Sequence, residues 1–106
     1  MKNTTGWNAL RDKVHANAVE KGFWDENNSP EHYLCLVISE LMEAVEADRK
    51  NRYANLREFD TECCERVYFT ENFEQYVKDT VEDELADAVI RILDLAGAYT
   101  FSASTL

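Results

Sequence analysis

Residues 29–50 read SPEHYLCLVISELMEAVEADRK. Ser29 has the short hydroxyl of an N-cap, and Pro30 suits the first helical position because its missing N–H has no helical partner to lose. Glu31 adds negative charge beside the positive end of the helix. No proline or glycine follows before Lys50, so the spacing predicts a helix from Pro30 to about Arg49 or Lys50. Its most apolar run, Leu34 to Val45, carries Glu40 and Glu43. Three residues apart, they share one helix face on neighbouring turns, where like charges repel.

Upstream, Trp7, Leu10, Val14 and Ala18 recur at spacings of three and four, which predicts a first helix ending before Gly22 as its C-cap. Downstream, Thr70 is read as the cap of a last long helix in which Val77, Val81, Leu85, Ala88, Ile92 and Leu95 form a stripe that ends at Gly97. Between them the pattern weakens over Asn51 to Phe69, where Leu56, Phe59, Cys63 and Val67 line one side of a short helix or an ordered loop. With one proline, three glycines and no alternating strand pattern, the expectation is an all-α helical bundle. It has three main helices plus a short helix in the 51–69 insertion. No repeat or low-complexity linker interrupts it, so residues 1–106 read as one domain with its core at about 7–97 and a tail at 98–106. A 106-residue chain with 45% hydrophobic residues builds only a modest core, which makes a homodimer or homotetramer the expected state.

Acidic residues outnumber basic ones 21 to 11, and a net charge of -10 repels phosphate polymers, so no nucleic acid partner is expected. The polar start, Met1-Lys2-Asn3-Thr4-Thr5-Gly6, has no apolar signal core, and no apolar run reaches the ~20 residues of a membrane span. A cytoplasmic location with no membrane partner is the expectation. Cys35, Cys63 and Cys64 are odd in number and carry no Cys-x-x-Cys or Cys/His frame, which argues against disulfides and a zinc site.

Glu84 and Asp87 repeat the three-residue spacing on the last helix. In a chain with 21 acids such pairs arise readily on solvated faces. These two differ in context. The helical neighbours of Glu40 are Leu36, Val37, Glu43 and Ala44, and those of Glu84 are Thr80, Val81, Asp87 and Ala88, with no lysine or arginine among them. Only Asp87 has a basic residue within helical reach, Arg91. Carboxylates set among Leu, Val and Ile without counter-charge cost several kcal/mol or take up protons unless a cation sits between the helices. Hard oxygen ligands without His or Cys select Mg²⁺, with Mn²⁺ as a substitute, and Mg²⁺ commonly joins carboxylates to substrate phosphates.

Ser39-Glu40-Leu41-Met42-Glu43 and Glu84-Leu85-Ala86-Asp87-Ala88-Val89-Ile90 resemble the Glu-x-x-Glu and Glu-x-x-Asp signature of MazG-type all-α nucleoside triphosphate pyrophosphohydrolases. His15 to Asp25, ending Glu20-Lys21-Gly22-Phe23-Trp24-Asp25, is similar to the lead-in of small bacterial and phage members. The resemblance spans roughly residues 7 to 97. It implies Mg²⁺-dependent hydrolysis of a (deoxy)nucleoside triphosphate to monophosphate and pyrophosphate, a house-cleaning activity on the nucleotide pool. Glu40, Glu43, Glu84 and Asp87 inherit the metal-ligand role, and Glu40, ahead of Glu43, that of catalytic base for the attacking water. Lys21 and Arg91, with Arg49 and Lys50 as further candidates, would meet the phosphates, and Trp24 the base. The chain departs from the pattern in the 40 residues from Ala44 to Asp83, longer than the usual gap between acid pairs, and in stopping soon after Gly97, where many relatives have a fourth helix.

Two other classes of function fit the same sequence. A non-catalytic helical adaptor would bind a protein through Tyr53, Phe59, Tyr68, Phe69 and Tyr76, and a regulator would bind nucleotide without hydrolysing it. A ferritin-like di-iron site is excluded by its need for carboxylate-x-x-His pairs on two helices, which only Asp12/His15 approximates.

Overall fold

A computed structural model of the chain describes residues 6–62 and 68–99. Every regular element among them is helical: α1 (Gly6–Glu20), α2 (Pro30–Arg49), α3 (Leu56–Glu62), α4 (Phe69–Tyr76) and α5 (Val81–Ala98). No helix among the described residues is long and apolar enough to cross a membrane. By its internal contacts the chain divides into two compact units, Met1–Val37 with Ala88–Leu106, and Ile38–Asp87.

α2 starts at Pro30 with Glu31 in its first turn, as its sequence predicts. It ends in a Schellman cap: Asn51, at φ 56°, donates its N–H to the Asp48 carbonyl at 3.0 Å, and Arg52 donates to the Ala47 carbonyl at 2.8 Å. α1 closes the same way on Gly22, at φ 84°, which donates to Val19 at 3.1 Å while Phe23 donates to Ala18 at 3.0 Å. Two of the expected boundaries are thus set by backbone hydrogen bonds that need a left-handed residue at one position.

The long last helix expected from Thr70 is instead two, because the chain recaps itself at Thr80. Asp79 takes a left-handed conformation, φ 62°. The Thr80 hydroxyl donates to the Val77 carbonyl at 2.6 Å and weakly accepts the Asp83 N–H at 3.3 Å, while the Asp83 carboxylate accepts the Asp79 N–H at 2.8 Å. Glu82, Asp83 and Glu84 then set three negative charges in the first turn of α5, against the positive helix end. Local capping overrides the apolar period that runs through Val77 and Val81. At its other end α5 continues through Gly97 to Ala98. The short helix expected in the insertion is α3, whose Phe59 meets Phe69 and Phe73 of α4 edge-on, with ring centroids 5.6 and 6.3 Å apart. Cys63 and Val67, expected on the same face, lie outside the described residues.

In the unit of residues 1–37 and 88–106, the buried positions are Ala18, Tyr33, Ala88, Leu93 and Ala96. α1 and α5 approach so closely that a Cβ on Gly97 would stand 2.6 Å from the Cβ of His15. Trp7, on the apolar stripe that predicts α1, is 54% exposed. In the unit of residues 38–87, Ala44, Ala47, Val77, Thr80 and Glu84 are buried. The segment after α2 is tied down by three backbone donors: Asn55 to the Tyr76 carbonyl, Val81 to the Arg52 carbonyl and Ala54 to the Glu82 carboxylate, each at 2.9 Å.

α2 is apolar on two faces. Tyr33, Ala44 and Ala47 are buried on one, with Leu36, Val37 and Glu40 half-buried beside them. Leu34, Ile38, Leu41, Met42 and Val45 occupy the other and are exposed.

Candidate metal centre

The unit of residues 38–87 brings three of the four predicted acids together. Glu40 from α2, with Glu84 and Asp87 from α5, each offer a carboxylate oxygen, all within 4.8 Å of one another. Glu40 is there because it lies on the same face as Ala44, one turn on, and that face is the buried one. Glu43 falls to the side of that face and is exposed, outside the group. Glu84 is only 7% exposed, and Asp87 is half-buried three residues on.

This crowding shows in the proton affinity of Glu84. Burial, first, and then the Asp87 charge, a hydrogen bond with Glu40 and the charges of Asp83 and Glu40 push its carboxyl up to about 7. At neutral pH it is half protonated unless a cation replaces the proton. An all-oxygen donor set around a desolvated carboxylate suits a hard divalent ion of the Mg²⁺ or Mn²⁺ type. A second grouping, Asp79, Asp83 and Glu84, shares the same buried residue. Its Asp83 already accepts a backbone N–H and its Asp79 is exposed.

Of the other predicted residues, Arg49 and Lys50 are exposed in this same unit, where both pair with Glu46 at 3.9 and 3.6 Å, while Lys21, Trp24 and Arg91 belong to the other unit. Lys21 is exposed just after α1, and Arg91 is half-buried on α5. Trp24 is more constrained. Its Nε1–H donates to both oxygens of Asp94, at 2.9 and 3.1 Å, and its ring stacks on Tyr33 at 4.1 Å with 24° between planes. His15 meets the Trp24 ring edge-on at 5.5 Å, and its Nδ1 lies 2.8 Å from Asp94. His15 is therefore a partnered histidine, the commoner fate of such a residue. His15, Trp24 and Tyr33 line a cleft of about 340 Å³ together with Asn28 and Tyr99. The buried Tyr33 hydroxyl has no hydrogen-bond partner among the described residues.

Asp94 and Tyr33 were not singled out in the sequence. For Asp94 a signal exists: it is an acid inside the run Leu85 to Leu95, the same context that marks Asp87. Its partners lie 70 and 79 residues away, which no local pattern reveals. Tyr33 carries no distinguishing signal.

Comparison with protein families, curated proteins and solved structures finds no match to this chain.

Proposed function

We propose that this chain is a Mg²⁺-dependent nucleoside triphosphate pyrophosphohydrolase with a MazG-type helical fold. The observation that carries the reading is the convergence of Glu40, Glu84 and Asp87 within 4.8 Å, with Glu84 buried and its proton affinity raised. A structural role alone gives no reason to desolvate a carboxylate beside two others. Bound Mg²⁺ supplies charge neutralisation of the triphosphate and a water of lowered pKa.

In this reading Glu84, most buried and without a basic partner in its own first turn, holds the ion, and Asp87 shares it. Glu40, half-buried, would accept the proton of the attacking water and so direct it at the α-phosphorus. Glu43, exposed one turn on, plays the lesser part. The cleft beside Trp24 is the candidate for the base, with Trp24 fixed through its N–H on Asp94 and backed by Tyr33. Lys21 and Arg91 are the candidate phosphate cations of that unit.

The exposure of Glu43 favours one second reading, a regulator that binds Mg²⁺ and nucleotide without turnover, because the second carboxylate of the first pair then does no work at the metal. Pyrophosphate release from a panel of nucleoside triphosphates with Mg²⁺, Mn²⁺ or EDTA separates the two. Metal-dependent release that falls at least ~100-fold in Glu40→Gln supports hydrolysis. Stabilisation by Mg²⁺ and nucleotide without release supports the regulator. No Mg²⁺ effect on stability or turnover overturns both.

A further inference from the structure

The second apolar face of α2 has no occupant within the described chain. Leu34, Ile38, Leu41 and Val45 are 51, 57, 44 and 41% exposed, and Met42 beside them is 57% exposed. They lie about 120° around the helix from the buried face that carries Ala44 and Ala47. A helix apolar on one stripe is explained by its own core, and a second stripe needs a second surface. Five half-exposed aliphatic chains present on the order of 400 Å² of apolar surface on one helix, which is as large as the biggest patch of a typical monomer. Against the ~800 Å² that each partner gives to a standard interface, the stripe and its flanks suffice for a modest complex.

The spacing together with the charges at its two ends says which partner fits. From Leu34 to Ile38 is four residues, from Ile38 to Leu41 three, and from Leu41 to Val45 four. The series 4-3-4 is unchanged on reversal, so a two-fold axis crossing the helix between Ser39 and Glu40 maps the stripe onto itself. Such self-matching allows a two-fold contact between identical chains, in which residue i meets j and j meets i. Under that axis Ile38 opposes Leu41 of the second copy, and Leu34 opposes Val45. At the ends Glu31, exposed in the first turn, falls beside Arg49, exposed in the last, so opposite charges meet at both rims. The antiparallel arrangement also sets the positive end of each helix beside the negative end of the other.

The geometry points to an antiparallel α2–α2 contact with a second copy of this chain, closed by Leu34, Ile38, Leu41 and Val45 and flanked by Glu31–Arg49 pairs. This inference does not rest on the catalytic reading, since none of these four residues is an acid of the metal centre.

The test measures mass in solution by sedimentation or light scattering. The intact chain passes from 12.3 kDa toward twice that in the micromolar range, while Ile38→Glu and Leu41→Lys, each alone, stay monomeric with unchanged helical circular dichroism. Mixed one to one, the two variants recover the dimer, because the antiparallel register places the new glutamate against the new lysine and leaves the other pair apolar. That recovery also shows that neither variant has merely unfolded. A monomer at every concentration, a dimer indifferent to both substitutions, or variants that fail to combine on mixing would each overturn the proposal.

Discussion

Glu84 couples the centre to pH. Its folded carboxyl is raised to about 7 while an unfolded one titrates near 4.5. The folded state therefore holds this proton more tightly, and the stability it contributes is full below pH 4.5, declines as pH rises and is gone above about 7. Glu84→Gln should remove that decline, gaining up to roughly 3 kcal/mol over the native chain at pH 8 in EDTA and nothing at pH 4. Thermal melts across that range, with and without Mg²⁺, check it. The native chain should gain more from Mg²⁺ at pH 8 than at pH 6, because the ion competes with fewer protons. Within the first acid pair, Glu40→Gln should reduce Mg²⁺ stabilisation more than Glu43→Gln, since only Glu40 reaches the group of three. If the two substitutions act equally, Glu43 swings inward on binding. The acids themselves were legible in the sequence, because a carboxylate among aliphatic neighbours without a base nearby is a local signal. Which of a pair three residues apart turns inward was not, since both share a helix face and the choice depends on where the core falls around it.

At the scale of elements, closures decide more than periodicity does. Gly22 could be read as the end of α1, and α2 from its proline and first-turn acid, because each signal lies at the boundary it sets. The division of the last segment into α4 and α5 was hidden by an apolar repeat that continues across it. The cap that breaks it, Thr80, works through contacts with Val77 and Asp83 rather than by any rare residue. Two substitutions test the closures. Asn51→Gly should hold or slightly raise stability and Asn51→Ala should lower it by about 1 kcal/mol, since the left-handed conformation there penalises a Cβ that lacks the asparagine side chain. Gly97→Ala forces two Cβ atoms to 2.6 Å and should cost about 1–3 kcal/mol as α1 and α5 move apart, read as a lower denaturant midpoint.

For the whole molecule, the buried set is mostly alanine, while leucine, isoleucine, methionine and valine stripes face outward. Hydropathy periodicity locates apolar positions but does not say which serve the chain's own core and which serve a partner, so the expected core stripe of α5 includes Leu85, which is 46% exposed. Association of two copies must also overcome a net charge of -10 on each. Raising ionic strength from about 0.02 to 0.5 M shortens the screening length several-fold and should strengthen self-association while leaving the helical content unchanged. Weakening with salt would show instead that the Glu31–Arg49 pairs outweigh the net repulsion between the copies.

The two tryptophans sit in different surroundings: Trp7 is about half exposed at the start of α1, whereas Trp24 lies against a carboxylate, a histidine edge and a tyrosine face at the wall of a cleft. The chain therefore carries its own optical reporter. In a Trp7→Phe protein all indole emission arises from Trp24, and a molecule entering the cleft would change its intensity and wavelength without any attached label, so binding there can be followed separately from turnover.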